Sequence, residues 1–420
     1  MQLSFLTKSM PIRNIGISIF EQGLYSVNNF VLNILLARSI TSTSYGIYSV
    51  AFSIFLFAAG FQNALILEPM SVLVPTIFQE NIKGYFNKIL LLNTILTFSL
   101  SIFIYFGYIL IPDNDLTELV FPLILTLPCI LNYWFGRRFC YAIQKPSFAF
   151  FGSSVYTFFL LGSTFLLFKK GVLSSQIAFY LMGISGLISS LFIILQISLY
   201  LKNNKKGEIR ISEIISPHWK YGKWATGSSI VYWLNSSVIV PFTAIFIGYS
   251  DAGIIRALQN FTVPVQQFVT AISNYLLPGL SSDINKSGSK FIHQKTRKIL
   301  YLVLSFVFIY VFVLSFFRKE FIALVFPFTD YIHYSWLILF LGIALLFSVA
   351  NQIISISLRA CQRPDGIFWS QIIGVLVFSG LGIFIINKFE LVGAGIMQIV
   401  LALVNLIVII FFYKSLFKQE

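Results

Sequence analysis

KNNKKGEIRISEIISPHWKYGK, residues 202–223, is a basic interruption in a chain that otherwise consists of apolar segments. The stretch holds six Lys and Arg residues and contains no long apolar run. Six apolar segments precede it and six follow it. The sequence therefore predicts two membrane-embedded lobes, residues 1–205 and 206–420, joined by a cytoplasmic loop.

The composition excludes a soluble globular protein. Of 420 residues, 57% are apolar and 10% are charged, whereas soluble domains carry about 25% charged residues. Such a chain cannot cover a surface that faces water. The formal net charge of +14 is interpreted as the excess of Lys and Arg in cytoplasmic loops, and no nucleic-acid partner is expected.

Twelve segments are long and apolar enough to cross a membrane, which takes about 20 residues. We therefore predict an all-α polytopic membrane protein with about 12 transmembrane helices, in two pseudo-symmetric six-helix lobes around a central cavity. The first segment is longer than the core of a signal peptide and contains Glu21, so we expect a transmembrane helix there rather than a cleaved signal. The predicted spans are 14–37, 46–69, 86–110, 117–142, 147–168, 175–201, 224–248, 250–277, 291–317, 331–358, 365–387 and 391–413.

The distribution of basic residues predicts the orientation. With the N-terminus inside, cytoplasmic stretches hold 22 Lys and Arg residues and outer stretches hold six. This bias places both termini and the central loop in the cytoplasm. We expect a multi-pass protein of the inner (cytoplasmic) cell membrane.

The two halves contain an internal repeat. At an offset of 207 residues, Tyr25 aligns with Tyr232, Asn28 with Asn235, and Gly46 with Gly253. At an offset of 218, the sequence YAIQKP (141–146) aligns with RACQRP (359–364). Six helices separate the equivalents, so both copies enter the membrane from the same side. This parallel repeat is typical of transporters that bind substrate between two lobes.

Polar side chains inside the predicted spans are the candidate functional residues. An ionised side chain at mid-bilayer costs roughly 2.5–3.5 kcal/mol on insertion scales, so it requires a partner or a wet cavity. Several candidates fall on one face of their helix. The predicted cavity-lining residues are Glu21, Tyr25, Asn28, Glu68, Tyr232, Asn235, Arg256, Asn260 and Gln267.

The alternative is that the amides and hydroxyls only hydrogen-bond between packed helices. A cavity role is favoured for Glu21, Glu68 and Arg256 because they carry charges. Arg256 is the best candidate for binding an anionic ligand, since a guanidinium matches phosphate bidentately. Glu68 precedes Pro69, where we expect a kink.

The sequence offers no candidate for catalysis. We find no Gly-rich phosphate loop, no HExxH and no nucleophile elbow. The three cysteines have no metal-ligand spacing, and no metal or cofactor is expected. His218, His293 and His333 are interpreted as interfacial residues, and Arg137 and Arg138 as orientation signals and headgroup contacts.

LARSITSTSYGIYSVA, residues 36–51, resembles the first helix-to-helix junction of polysaccharide flippases, in which an L-A-R turn precedes an acidic residue and Y-G-x-Y. Here Ser44 stands in place of the acidic residue. The segment 252–259, with Pro264 and Pro278, is similar to the second-half counterpart of this junction, and 138–146 to the junction of the fourth and fifth helices.

This resemblance implies a flippase of O-antigen or other lipid-linked oligosaccharides, within the multidrug/oligosaccharidyl-lipid/polysaccharide exporter superfamily. The implied activity is flipping of an undecaprenyl-diphosphate-linked oligosaccharide by alternating access, without enzymatic chemistry. The implied partners are membrane lipids, the polyprenyl-diphosphate-linked glycan, H+ or Na+ as coupling ion, and other membrane proteins of polysaccharide assembly. The resemblance assigns no fixed site residue.

Other functions stay open at this point. A cation-coupled multidrug exporter of the same fold would need a dominant acidic site, which Glu21 or Glu68 could supply. A lipid II flippase is a close variant, but such chains usually carry two helices more than the twelve predicted here. A polysaccharide polymerase or ligase would need a large outer loop, and the predicted outer loops are short. A scaffold without transport activity would leave the buried charges unexplained.

Overall fold

The computed structural model describes residues 12–110, 115–203, 209–327, 329–361, 363 and 365–416. Throughout these residues the regular structure is helical, and no strand occurs in them. The prediction of an all-α membrane protein is confirmed. Residues 204–208 of the basic loop, and Gln362 and Pro364 of the second repeat motif, lie outside the described residues.

Among the described residues, fifteen α-helical stretches are joined by short turns, 3₁₀ segments and two π-helical segments, Asn63–Leu67 and Phe378–Gly382. In chain order they are α1 (Ile12–Ser39), α2 (Ser42–Gln62), α3 (Glu68–Thr76), α4 (Ile82–Leu110), α5 (Thr117–Ala142), α6 (Pro146–Lys169), α7 (Ser175–Tyr200), α8 (Ile211–Ser236), α9 (Ile239–Phe246), α10 (Tyr249–Gln259), α11 (Val263–Phe316), α12 (Arg318–Val325), α13 (Leu337–Ala360), α14 (Asp365–Val377) and α15 (Ile383–Leu416). The last stretch contains a kink at Glu390, where φ is 49° and ψ is −130°.

Eight helical stretches among the described residues are long and apolar enough to cross a membrane. A ninth is counted if Ala225–Ser236 and Ile239–Phe246, bent by 55°, form one span. The twelve predicted spans nevertheless fall mostly on helical residues. The count is lower for three reasons. The stretch Asp365–Ser415 is counted once although the kink at Glu390 separates its two predicted spans, 365–387 and 391–413. In addition, α1 contains Glu21 and several asparagines that lower its hydropathy, and the predicted span 250–277 is divided between α10 and α11.

Two compact units make up the chain. The first comprises the residues up to Ile40 together with Ile54–Ile230, and the second comprises Thr41–Ser53 together with Val231 onward. The start of α2 thus belongs to the second unit, and most of α8 belongs to the first. The predicted lobes, 1–205 and 206–420, divide the chain elsewhere and stay a prediction.

Small residues allow close helix packing in the first unit. A Cβ added to Gly152 would lie 2.2 Å from the side chain of Ile193, and one added to Gly136 would lie 2.9 Å from it. Ile193 of α7 therefore packs against backbone on both α5 and α6. Such contacts between small residues are the usual basis of helix association in membranes.

The second unit contains two kinds of contact. Valines of α11 pack with α13 in an apolar cluster that includes Val307 and Val349, both fully buried.

The repeat-equivalent Gly46 and Gly253 pack against each other. A Cβ on Gly46 would lie 1.6 Å from the Tyr249 carbonyl oxygen, and one on Gly253 would lie 2.0 Å from that of Ser42. α2 and α10 therefore meet backbone to backbone.

Candidate functional site

A buried ion pair is the most concentrated polar feature of the first unit. The Glu21 side chain on α1 is 0% exposed, and its Oε1 accepts a hydrogen bond of 2.6 Å from Nε of Arg137 on α5. Tyr141 donates to Oε2 at 2.6 Å. Ser153 of α6 donates to Oε1, and the Tyr133 hydroxyl lies 2.9 Å from the Ser153 Oγ. Three helices thus converge on one carboxylate.

The Arg137 guanidinium lies over the rings of two tyrosines. The Cζ of Arg137 lies 4.2 Å from the ring centroid of Tyr25 and 5.5 Å from that of Tyr133. A guanidinium over an aromatic face is attracted by the ring quadrupole. A buried ion pair survives only when the remaining groups of both ions are satisfied. This cluster meets that condition for Glu21, which accepts hydrogen bonds from three side chains.

Arg137 is the residue that sequence reasoning missed. Its position near the end of a span, beside Arg138, led to the interpretation of an orientation signal. Arg137 is not the headgroup contact that was also expected, because its side chain is only 11% exposed and pairs with Glu21, while Arg138 is exposed. The available signal was the spacing of Tyr133, Arg137 and Tyr141, which places three polar groups on one helix face.

Asn28 lies two turns after Glu21 on α1 and is also buried. Its Nδ2 donates to Thr157 Oγ1 of α6 at 2.8 Å. Its Oδ1 has no hydrogen-bond partner among the described residues. Tyr25 and Asn28 therefore belong to the same three-helix region as Glu21.

The repeat mate Asn235 makes an equivalent kind of contact in the second unit. Asn405 of α15 donates to Asn235 Oδ1 at 2.7 Å, and Asn235 Nδ2 donates to the Gln371 carbonyl of α14 at 3.1 Å. This is hydrogen bonding between packed helices, the alternative that the sequence left open. Tyr232, one turn earlier, is 61% exposed and is not part of this network.

Two of the remaining candidates of the second unit, Arg256 and Asn260, both lie near Tyr45. Arg256 of α10 is half-buried, with its Cζ 5.9 Å from the ring centroid of Phe52. Asn260 is buried and donates to the Tyr45 hydroxyl at 3.3 Å. Gln267 is exposed. The assignment of these residues to a central cavity stays a prediction.

A π-helical segment lies just before Pro69, where the sequence predicted a kink. Asn63–Leu67 directly precedes the half-buried Glu68. Such bulges free backbone carbonyls from the helical ladder and often occur at functional sites. The Leu65 carbonyl oxygen lies 2.9 Å from Nδ1 of His218 on α8.

The structure corrects the interpretation of His218 as an interfacial residue, since the side chain is 5% exposed. Because a carbonyl can only accept, Nδ1 carries the proton, and Nε2 accepts from the Tyr85 hydroxyl at 2.7 Å. Burial lowers the pKa of His218 below its ordinary value. His293 and His333 are exposed. No group of three His, Cys, Asp or Glu side chains that could hold a metal occurs among the described residues.

No family profile and no curated protein sequence matches the chain. Solved membrane transporters do match its structure. A lipid II flippase, MurJ, in an inward closed conformation has a TM-score of 0.74 at 18% identity, over 96% of this chain and 87% of its own. An inward-facing multidrug resistance MATE transporter of the MOP superfamily has a TM-score of 0.69 at 14% identity, over 95% and 96%.

The Vibrio cholerae MATE transporter VcmN has a TM-score of 0.63 at 12% identity, over 98% of each chain. At these identities the likeness concerns the fold. The protein is a multi-pass, all-α membrane protein with the fold of MOP-superfamily transporters. The shared fold extends over nearly the whole chain.

Proposed function

We propose that this protein flips an undecaprenyl-diphosphate-linked oligosaccharide across the cytoplasmic membrane for surface polysaccharide biosynthesis, by alternating access. The observation that carries the proposal is the fold shared along 96% of the chain with a flippase of lipid II. A transporter of this kind performs no covalent chemistry. Both termini lie in the cytoplasm, as the distribution of Lys and Arg predicts.

A half-buried arginine of the second unit supports an anionic substrate. Arg256, with its ring partner Phe52, is proposed to contact the diphosphate, while the polyprenyl tail stays in lipid. A guanidinium is suited to this because it stays charged and offers bidentate hydrogen bonds to phosphate.

A cation-coupled multidrug exporter is the second candidate, and the fold shared with MATE transporters favours it. This function needs an acidic side chain that is available to a cation. Glu21 is committed to Arg137, Tyr141 and Ser153. Glu68, the other acid proposed from the sequence, is half-buried and is the remaining candidate for coupling to H+ or Na+.

A genetic complementation tests the function. The gene is expressed in a host that lacks its own oligosaccharide flippase but keeps the enzymes that make the lipid-linked repeat. Restored surface polysaccharide supports the proposal. Increased resistance to cationic dyes in a pump-deficient host, without restored polysaccharide, would favour the exporter instead.

A further inference from the structure

The first half of α8 is held against the first unit along one face. Ile214, His218 and Gly222 are spaced four residues apart and therefore lie on one side of the helix. Ile214 is 0% exposed, and Nδ1 of His218 lies 2.9 Å from the Leu65 carbonyl oxygen. A Cβ added to Gly222 would lie 3.1 Å from the Ala64 carbonyl oxygen. These contacts fix which faces of the helix stay exposed.

A neighbouring face of the same half of α8 is apolar and exposed. Ile211, Ile215 and Trp219 are 39%, 48% and 59% exposed, again at a spacing of four residues. Exposure of such side chains to water is unfavourable. The candidate span begins only at Ala225, so this half of the helix precedes the membrane crossing. An apolar stripe beside lysines is typical of helices that lie in the membrane interface, where Trp is enriched.

An open cavity on this exposed face combines charged and apolar groups. The lining residues are Ser212, Ile215, Ser216, Trp219, Lys220 and Lys223. Ammonium and hydroxyl groups donate hydrogen bonds to phosphate oxygens, and isoleucine and tryptophan side chains offer apolar contact to an acyl chain. Because two lysines line the cavity, an anionic headgroup complements its charge better than a zwitterionic one.

We propose that this cavity binds an anionic phospholipid of the cytoplasmic leaflet, with its phosphate at Lys220 and Lys223 and the start of an acyl chain along Ile215 and Trp219. The leaflet follows from the predicted cytoplasmic position of residues 202–223. The bound lipid anchors the first half of α8 to the membrane surface. All lining residues belong to the first unit, and the proposal goes beyond transport because it does not depend on the transported substrate.

Calorimetry tests the site with two short-chain lipids, dioctanoyl phosphatidylglycerol and dioctanoyl phosphatidylcholine, added to the purified full-length protein in detergent. The wild type is expected to bind the anionic lipid at least tenfold more tightly than the zwitterionic lipid. Lys220→Gln/Lys223→Gln is expected to remove this preference, since each lysine contributes an attraction of about fivefold. Lys169→Gln/Lys170→Gln is the matched control, because it makes the same charge change at two exposed lysines of the same unit. This control is expected to bind like the wild type.

A third variant separates a lipid site from a site for free phosphate. Trp219→Ala should weaken binding of dioctanoyl phosphatidylglycerol at least fivefold, with an unchanged midpoint of thermal unfolding because the side chain is 59% exposed. Inorganic phosphate is the second probe. If Lys220→Gln/Lys223→Gln abolishes phosphate binding while Trp219→Ala binds the lipid like the wild type, the ligand is free phosphate and the proposal is overturned.

Equal weakening of lipid binding by both double-lysine variants would also overturn the proposal, since it would show attraction by net charge alone. A wild type that does not distinguish the two lipids would do the same. Each of these failures leaves the proposed flippase function standing, because none of the probes is the transported substrate.

Discussion

Gly253→Ala tests the contact between α2 and α10 most sharply, because the structure leaves no room for a methyl group. The new Cβ would lie 2.0 Å from the Ser42 carbonyl oxygen and 2.8 Å from the Gly46 nitrogen. Since ordinary contacts begin near 3.4 Å, the helices must separate by about 1.4 Å. Both obstacles are backbone atoms, which cannot turn aside as a flexible side chain would.

Overpacking of this kind costs about 1–3 kcal/mol, against a gain of about 1 kcal/mol from replacing Gly by Ala in a helix. We expect a net loss of up to about 2 kcal/mol, seen as a lower midpoint of thermal unfolding in detergent. Gly227→Ala is the matched control, because a Cβ there meets nothing within 4 Å, and it should be neutral or stabilising.

A second readout uses Ser42 and Ser250, whose Oγ atoms lie 2.9 Å apart across the same contact. A Ser42→Cys/Ser250→Cys pair should form a disulfide readily in the parent protein and more slowly with Gly253→Ala. Equal stability of Gly253→Ala and Gly227→Ala, with unchanged cross-linking, would refute the backbone contact.

Three further predictions concern single side chains. Arg256→Ala should lower polysaccharide export by about tenfold or more at unchanged protein level in the membrane, since a charge-assisted hydrogen bond contributes about 1.5–3 kcal/mol. Glu68→Gln should transport without responding to collapse of the ion gradient, measured with ionophores in cells. The lowered pKa of His218 means that its neutral form stabilises the fold above its ordinary pKa of about 6.5, and that this stability falls as the pH decreases. Thermal unfolding of the wild type should therefore be easier at about pH 5.5 than at about pH 7.5, and His218→Gln should reduce the difference.

Each of these has a result that would contradict it. Full export by Arg256→Ala would remove this residue from ligand binding. Unchanged dependence of Glu68→Gln on the gradient would remove Glu68 from coupling. A pH dependence of stability that His218→Gln leaves intact would assign it to other groups.

The membrane fold could be predicted from the sequence because the bilayer imposes a simple rule. Each span must be apolar for about 20 residues and helical throughout. The hydropathy pattern therefore indicates both where a span lies and that it is helical. The matching positions of Gly46 and Gly253 revealed the repeat. They did not reveal that these two glycines pack against each other. The kink near Glu68 was expected at Pro69, whereas the structure places a π-helical segment at Asn63–Leu67 just before it.

The candidate site could be predicted only in part. The cost of burying a charge correctly indicated that Glu21 needs a partner. The partner is 116 residues away, and no local spacing connects the two. Arg137 and His218 were both misread because each has basic neighbours, and basic neighbours are typical of a membrane interface. Burial of these two side chains depends on tertiary packing, which a linear pattern does not contain.

The most direct test of the account is transport by the purified protein. The protein is reconstituted in liposomes with a fluorescent undecaprenyl-diphosphate-linked oligosaccharide, and the fraction of lipid accessible to an external quencher is followed over time. We predict protein-dependent movement of the lipid-linked oligosaccharide between leaflets, which excess unlabelled substrate inhibits. No movement of this lipid, by a protein that transports a cationic dye in the same liposomes, would contradict the account.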